Sequence, residues 1–265
     1  MCTLVALHGV VPRARLLVAA NRDEFFARPA EGPGLRATAS GTLLAPRDAL
    51  AGGTWFGLNR FGVLAALTNV ACPTPDPARR SRGLLVVDVL AARSAKRAAE
   101  KIRSLPVAAY NPFNLFVADV AEAFAFGYED AVRDVPNASG IFLIGNAPLD
   151  GAEPPKLAGL RERVEAARAE PAEGWLPRLG DWCRDHASAG PRGPLDALCV
   201  HTPTYGTRSS CLLQLAEGGL EDSSSVFRFA DGAPCEERYE EFTPLLHDLG
   251  RGRSGACGAQ ARSHR

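Results

Sequence analysis

The chain has 265 residues, which is enough for one large domain or two small ones with a substantial hydrophobic core. Thirty lysine and arginine residues balance thirty aspartate and glutamate residues, so the formal net charge is zero. This composition gives no electrostatic basis for binding nucleic acid or an anionic membrane, and no apolar run approaches the roughly 18 residues that a transmembrane helix needs.

The first 70 residues read as short strands separated by turns. Residues 2–7 and 16–20 are apolar runs that predict a hairpin around the turn at residues 11–14. A loop rich in proline and glycine is predicted over residues 28–41, and a proline-rich loop over residues 72–82. Between these loops the sequence predicts strands at residues 42–45, 53–58 and 62–68.

From residue 83 the apolar positions recur every three or four residues, which predicts one amphipathic helix over residues 83–103. Two further helical segments are predicted at residues 157–169 and 175–186. The remaining predicted strands lie at residues 114–118, 123–128, 141–145, 197–201, 209–215, 225–230 and 237–242, the last ordered elements. This order favours an α+β layered domain over residues 1–249, with two sheets face to face, outer helices and a disordered tail over residues 250–265.

The seven cysteines occur without C-x-x-C spacing, so the sequence predicts no metal site and no disulfide framework. Reduced thiols in a cytoplasmic protein are the expectation. His8, Gly9 and Pro12 interrupt the first apolar run, which therefore does not resemble a signal peptide. A mitochondrial address stays an alternative because no acidic residue precedes Asp23; its cleavage would remove Cys2.

Cys2 is the first candidate for chemistry. If Met1 is removed, Cys2 carries a thiol and a free α-amino group on one residue, which together can serve as nucleophile and base. An α-amino group titrates at about pH 8, so it can accept a proton near neutrality. The alternative is that a cysteine at this position has no catalytic role.

Polar side chains follow several predicted strands. Asn21, Arg22, Asp23 and Glu24 come directly after the second strand, where an arginine could lower the pKa of a nearby thiol. Asn69 and Asn146 also follow predicted strands. Their side-chain amides could donate hydrogen bonds to an oxyanion, or both could be ordinary turn residues. Arg208 opens a later strand, and each of these positions could equally be solvated.

The order of these motifs resembles the NRDE family, also called the transport and Golgi organisation 2 family. The resemblance spans about residues 1–243. Its motifs, in order, are Met1-Cys2, Ala19-Ala20-Asn21-Arg22-Asp23-Glu24-Phe25, Gly52-Gly53-Thr54-Trp55-Phe56-Gly57, Gly62–Asn69, Asn111-Pro112-Phe113-Asn114-Leu115, Gly145-Asn146-Ala147-Pro148-Leu149, Tyr205-Gly206-Thr207-Arg208-Ser209-Ser210 and Glu237-Arg238-Tyr239-Glu240.

The resemblance implies the N-terminal-nucleophile hydrolase fold, a four-layer αββα sandwich. The wider superfamily includes choloylglycine hydrolases and penicillin V acylases, which cleave amide bonds with an N-terminal cysteine. By that similarity Cys2 is the nucleophile and Asn69 the oxyanion donor, while Asn146 lies near the α-amino group and Arg208 matches a late active-site arginine. Those hydrolases place their arginine and aspartate three residues apart, whereas Arg22 and Asp23 are adjacent and point to opposite faces of an extended strand.

Two functions follow as hypotheses. The first is an amidohydrolase acting on a small molecule, which needs no cofactor and uses Arg22 and Asp23 to position thiolate and substrate. The second is a non-catalytic carrier of haem, or a protein of lipid homeostasis, because the family is linked to haem trafficking and lipids. In the carrier, Arg22 or Arg208 would pair with the haem propionates. No C-x-x-C-H haem-attachment motif occurs.

Overall fold

The computed structural model describes residues 2–188 and 190–252, which form two antiparallel sheets with four of five helices on their outer faces and the last helix packed against the core between the sheets. The strands are β1 (Thr3–Val11), β2 (Ala14–Phe25), β3 (Ala30–Thr38), β4 (Gly41–Asp48), β5 (Phe56–Asn59), β6 (Leu64–Asn69), β7 (Phe113–Ala118), β8 (Ala123–Tyr128), β9 (Val132–Val135), β10 (Ile141–Ile144), β11 (Tyr205–Ala216), β12 (Val226–Ala230) and β13 (Glu240–Glu241). The helices are α1 (Arg82–Val89), α2 (Ala95–Arg103), α3 (Pro155–Ala167), α4 (Trp175–Cys183) and α5 (Thr243–Gly250).

The sheets have the strand orders β10-β1-β2-β11-β12-β13 and β3-β4-β5-β6-β7-β8-β9. Alternating side chains of each sheet enter two different cores, as the two-residue period of a strand requires. Leu4, Val18 and Phe116 belong to the core between the sheets. Val5 and Leu17 pack instead against α3 and α4, whereas the outer face of the second sheet packs against α1 and α2. The layers are therefore helix, sheet, sheet, helix, and the expected α+β sandwich is confirmed.

Residues 83–103 form two helices where the sequence predicts one. The Nδ2 atom of Asn59 donates hydrogen bonds to the carbonyls of Leu90 (2.7 Å) and Ala92 (2.6 Å), which satisfies acceptors at the end of α1. Ser94 then begins α2 as an N-cap, since its hydroxyl accepts a hydrogen bond from the Arg97 amide at 3.2 Å. Apolar periodicity alone carries no signal for this long-range capping by Asn59.

Other elements also differ from the prediction. The predicted loop over residues 28–41 contains β3, an edge strand, where proline and glycine are tolerated; its register shifts between Glu31 and Gly34. Residues 197–201 form no strand, apart from an isolated bridge at His201. The sequence does not predict β9 or α5, and β13 is shorter than the strand predicted over residues 237–242. Of the predicted tail, Gly250 is the last residue of α5 and residues 253–265 lie outside the described residues.

Among the described residues, no helix has the length and apolar character needed to span a bilayer.

Candidate active site

A cleft of about 510 Å³ opens beside the start of β1. It is lined by the end of β2, the turn after β4, the end of β6 and the segment that leads into α1. The lining residues that matter for chemistry are Cys2, Arg22, Asp23, Glu24, Arg28, Asp48, Trp55, Asn69, Asp76, Arg79, Arg80 and Arg82. Four of the six predicted site residues, Cys2, Arg22, Asp23 and Asn69, therefore meet at one cleft.

Cys2 immediately precedes β1 and lies on the strand face that points between the sheets. The pairing of Thr3 with Asn21, extended by one residue, places Arg22 opposite Cys2. The pairing of Leu4 with Ile144, extended by two residues, places Asn146 on the other side of Cys2. The Cys2 Sγ atom lies 3.9 Å from the carbonyl oxygen of Asp23. Burial raises the pKa of the Cys2 thiol, and the charge of Arg22 opposes that shift as the weakest of several influences.

Arg22 is a buried cation beside the thiol. Only 6% of this residue is exposed, and its guanidinium carbon lies 4.1 Å from the ring centroid of Trp55. The nearest acidic contact is Glu24, at 3.9 Å from the guanidinium. Burial lowers the pKa of Arg22, and the neighbouring thiol and carboxylates oppose that shift. The stacked, loosely paired guanidinium can therefore stabilise a thiolate at Cys2.

Asp23 points to the opposite face of β2, towards the helices. Its Oδ1 atom accepts a hydrogen bond from the Thr207 hydroxyl at 2.7 Å, and its carbonyl accepts one from the Tyr205 hydroxyl at 3.0 Å. Burial raises the pKa of the Asp23 carboxyl, although the nearby Lys156 ammonium opposes that shift. Burial likewise lowers the pKa of Lys156, which is only 6% exposed and donates to the Ala197 carbonyl at 3.5 Å. A buried acid and a buried amine thus lie behind the cysteine.

Asn146 does not line the cleft with the other predicted residues, but it positions one of them. Its Nδ2 atom donates to the backbone carbonyl of Asn69, which joins the end of β10 to the end of β6. The same junction includes a hydrogen bond from the Thr68 hydroxyl to the Gly145 carbonyl at 2.5 Å. Buried Asn114 adds bonds from its Nδ2 atom to the carbonyls of Gly145 (3.0 Å) and Ala147 (2.8 Å). Asn69 itself is exposed and lines the cleft.

Arg208 is not among the residues that line the cleft. It is the extra residue of a β-bulge, since Thr207 pairs with Asp23 and Ser209 pairs with Arg22 on β2. Its Nε atom is buried with no hydrogen-bond partner among the described residues. The bulge places Thr207 on the same face as Asp23, so Arg208 acts on the site through backbone geometry.

The arginine-rich wall of the cleft is held by its backbone. Asn111 binds the backbone of Asp76 twice, accepting from its amide at 2.9 Å and donating to its carbonyl at 2.8 Å. Gly53 packs against Gly83 so closely that a Cβ at residue 53 would lie 2.2 Å from the Gly83 carbonyl carbon. This contact fixes Trp55 relative to Arg82 and explains the glycine at residue 53, whereas Gly52 has a φ of 77°, which favours glycine.

Sequence reasoning missed Lys156, Trp55, Thr207 and the arginines of residues 79–82. Trp55 and Thr207 lie inside the motifs quoted above, but nothing in those motifs distinguishes side chains that reach the cleft from those that do not. The arginines at residues 79, 80 and 82 lie in or at the end of the predicted proline-rich loop over residues 72–82, which carries no signal for a site. Lys156 immediately precedes the helical segment predicted over residues 157–169, and a lysine usually faces solvent. Its burial depends on α3 packing over the end of β10.

A family model described as "Transport and Golgi organisation 2" matches residues 1–220 of the chain. Similar curated proteins are the transport and Golgi organization protein 2 homolog of Homo sapiens and the corresponding homolog of Mus musculus. They are 29% and 28% identical to this chain over 255 residues. Both alignments cover 86% of this chain and 92% of the relative.

Two solved structures are similar in fold. One is a mutant of conjugated bile acid hydrolase from Clostridium perfringens, with a TM-score of 0.55, 10% identity and coverage of 93% of this chain and 94% of the other. The second is a Caenorhabditis elegans ortholog of N-acylethanolamine-hydrolyzing acid amidase, with a TM-score of 0.55, 11% identity and coverage of 84% and 95%. Both have the N-terminal-nucleophile hydrolase fold, so the expected fold is confirmed.

Proposed function

The chain belongs to the transport and Golgi organisation 2 family, and on that premise we propose that its cleft hydrolyses an amide bond of a small molecule with Cys2 as the nucleophile. The observation that carries this proposal is the position of the Cys2 thiol. It lies in a cleft of about 510 Å³, opposite Arg22 and 3.9 Å from the backbone carbonyl of Asp23, at the start of β1 in an N-terminal-nucleophile hydrolase fold.

The proposed reaction starts after removal of Met1. The free α-amine of Cys2 accepts the thiol proton, and the Sγ atom attacks the substrate carbonyl carbon to form a tetrahedral oxyanion. The Asn69 side-chain amide, at the cleft surface, donates to that oxyanion. The α-ammonium then protonates the leaving amine as the C–N bond breaks, and water hydrolyses the resulting thioester. Arg22 stabilises the thiolate in each half-reaction.

Arg82 supports a substrate that also carries an anionic group. Arg28 pairs with Asp48 at 2.6 Å, and Arg80 pairs with Asp88 at 2.5 Å. Arg82 has no acidic partner within ion-pair distance among the described residues, and its guanidinium donates to the Pro112 carbonyl at 2.8 Å. It lies close enough to Cys2 for the thiolate charge to affect its pKa, which burial lowers overall. We therefore expect an N-acyl compound with a carboxylate or similar anion.

The test is amide hydrolysis by wild type and Cys2→Ala over paired anionic and neutral N-acyl compounds, together with an intact-mass measurement. The expected result is a mature chain that begins at Cys2, with hydrolysis at the background rate in Cys2→Ala. Arg82→Met should raise KM for the anionic compounds and leave the neutral ones unchanged. Full activity with Met1 retained, or in Cys2→Ala, would refute the nucleophile.

A second candidate function is the carriage of haem in the same cleft. The residues of the cleft support this function. The Cys2 thiol can ligate iron, and Arg22 and Arg82 can pair with the haem propionates. A haem titration of wild type, Cys2→Ala and Arg82→Met tests it through the Soret band. Saturable binding that is weakened by both substitutions, without amide hydrolysis, would favour the carrier over the hydrolase. A spectrum that stays that of free haem would eliminate the carrier.

A further inference from the structure

We propose that His186, Cys199, His201 and Cys235 form a structural site for a zinc ion or a similarly thiophilic divalent metal. One ligand atom from each of these residues lies within 4.8 Å of all the others. Two thiols and two imidazoles are the donor set of many four-coordinate structural zinc sites. The cluster is separate from the Cys2 cleft, and the proposal does not depend on the proposed hydrolysis.

Three of the six distances within the cluster are close to the edges of a tetrahedron around zinc. With Zn–S and Zn–N bonds of ordinary length, neighbouring ligand atoms should lie roughly 3.3–3.8 Å apart. The Cys199 and Cys235 Sγ atoms are 3.7 Å apart, and the His201 Nε2 atom lies 3.6 Å from the first and 3.2 Å from the second. His186 completes the set from one side, with its ring centroid 4.9 Å from that of His201.

The segments that carry these ligands are held together by backbone contacts that do not involve a metal. The Cys199 amide donates to the Asp185 carbonyl at 2.8 Å, which joins the segment before β11 to the segment after α4. The Arg184 Nε atom donates to the Pro234 carbonyl at 2.9 Å, which fixes the residue before Cys235. The ligands are therefore preorganised, and less conformational entropy is lost on binding than in an open loop.

The surroundings of His201 support ligation through its Nε2 atom. The Oε1 atom of Glu236 lies 3.8 Å from the His201 Nδ1 atom, on the side of the ring away from the two thiols. This separation is longer than a hydrogen bond, but a rotation of the exposed Glu236 side chain would let it accept from Nδ1, as carboxylates do beside zinc-bound histidines. His186 and Cys235 are exposed, which gives the ion a route from solvent to the buried Cys199.

The site would stabilise the segment that supports Asp23. The Leu198 carbonyl accepts a hydrogen bond from the Asn21 Nδ2 atom at 2.9 Å. The Val200 amide donates to the Thr207 hydroxyl at 2.9 Å, and that hydroxyl in turn donates to Asp23. With four protein ligands there is no open coordination position for substrate, so the inferred role is structural.

The test uses the full chain purified in reducing buffer, with metal content measured by elemental analysis. Chelator-treated protein is then titrated with Co²⁺, because tetrahedral cobalt with thiolate ligands gives intense visible bands and near-ultraviolet charge-transfer bands. Cys235→Ser and His201→Asn remove ligands at exposed or half-buried positions. Cys72→Ser removes a free cysteine outside the cluster and serves as the matched control.

We expect wild type and Cys72→Ser to bind one ion per chain with the tetrahedral cobalt spectrum. Cys235→Ser and His201→Asn should lose the spectrum while keeping the far-ultraviolet circular dichroism of wild type. Glu236→Gln should weaken cobalt affinity roughly tenfold without changing the band positions. The proposal is overturned by an absence of metal and cobalt binding in wild type, by equal binding in Cys235→Ser, or by a Cys199–Cys235 disulfide that persists in reductant.

Discussion

Replacement of Arg22 by glutamine should make the Cys2 thiol harder to ionise. Burial already raises the pKa of this thiol, and Arg22 is the side-chain cation that opposes the shift. An adjacent opposite charge usually changes a pKa by about 1–3 units. Glu24 lies 3.9 Å from the guanidinium and partly neutralises it, and Arg22 is the weakest of the named influences on this thiol, so the shift should fall below that range. We expect an upward shift of the thiol pKa and a loss of thiolate of less than about tenfold at a given pH below the pKa.

The assay is the pH dependence of Cys2 alkylation, followed by mass spectrometry of the peptide that contains Cys2. Peptide-level detection is needed because Cys72 and Cys235 are also free and accessible. The rate profile of Arg22→Gln should keep the wild-type plateau at alkaline pH and shift its midpoint upward. Arg22→Lys keeps the charge but loses the planar stack on Trp55, so we expect a smaller shift.

Arg79→Gln is the matched control, since it removes the same charge from the wall of the same cleft. Its profile should overlay that of wild type. If Arg22→Gln and wild type share one midpoint, the buried guanidinium does not set the thiol pKa and its proposed role is wrong. If Arg79→Gln shifts the midpoint equally, the effect belongs to the net charge of the cleft and not to the Arg22 position.

Three further predictions concern the supports of the site. Asp23→Asn removes a carboxyl whose pKa is raised by burial. The free energy of unfolding of wild type should fall as the pH rises from the pKa of this carboxyl in the unfolded chain towards its pKa in the folded protein, so Asp23→Asn should gain stability relative to wild type over that range. Urea unfolding across pH measures this difference. Asn114→Ala removes two hydrogen bonds to buried carbonyls and should lower the free energy of unfolding by about 2 kcal/mol. Gly53→Ala places a Cβ 2.2 Å from the Gly83 carbonyl carbon and should cost about 3 kcal/mol, seen as a lower Tm.

Each of these predictions has a control within the chain. Parallel stability curves for Asp23→Asn and wild type across pH would contradict the raised pKa. Asn111→Ala removes an amide with exposed bonds to the Asp76 backbone, so it should destabilise less than Asn114→Ala. Gly32→Ala introduces the same methyl group where no atom lies within 4 Å of it. Equal costs for Gly32→Ala and Gly53→Ala would show that the backbone contact is not tight.

Most of the fold could be predicted from sequence because its apolar periods are regular. The alternation in β1 and β2 and the order of strand and helix segments are local properties, and they are enough for the layered architecture. The errors lie where one distant side chain decides the backbone. Asn59 ends α1 from 31 residues away in sequence, and pairing with β4 turns a proline- and glycine-rich segment into the edge strand β3.

The candidate site could be predicted only as a set of residue types. Cys2, Arg22, Asp23 and Asn69 share one cleft because strand ends at one edge of a sandwich lie together, which the strand order makes predictable. Asn146 and Arg208 do not line the cleft as the sequence predicts. The position of Asn146 depends on one hydrogen bond and that of Arg208 on one β-bulge, and neither feature has a sequence period. The cysteine and histidine cluster was invisible for a related reason, since its four ligands come from three segments without metal-ligand spacing.

The adjacency of Arg22 and Asp23 can serve the proposed chemistry because the two side chains act from opposite faces of β2. Arg22 lies opposite Cys2 and turns towards Trp55 and the cleft, where a thiolate and an incoming anion need a cation. Asp23 turns towards Thr207 and Lys156, behind the strand, while its carbonyl lies nearest the thiol. One strand thus supplies a cation on the substrate side and an acid on the scaffold side. Two side chains on one face of an extended strand would need an even spacing, which the adjacent Arg22 and Asp23 do not have. The two positions should therefore fail differently: loss of Arg22 should change thiol ionisation, and loss of Asp23 should change stability and the position of Cys2.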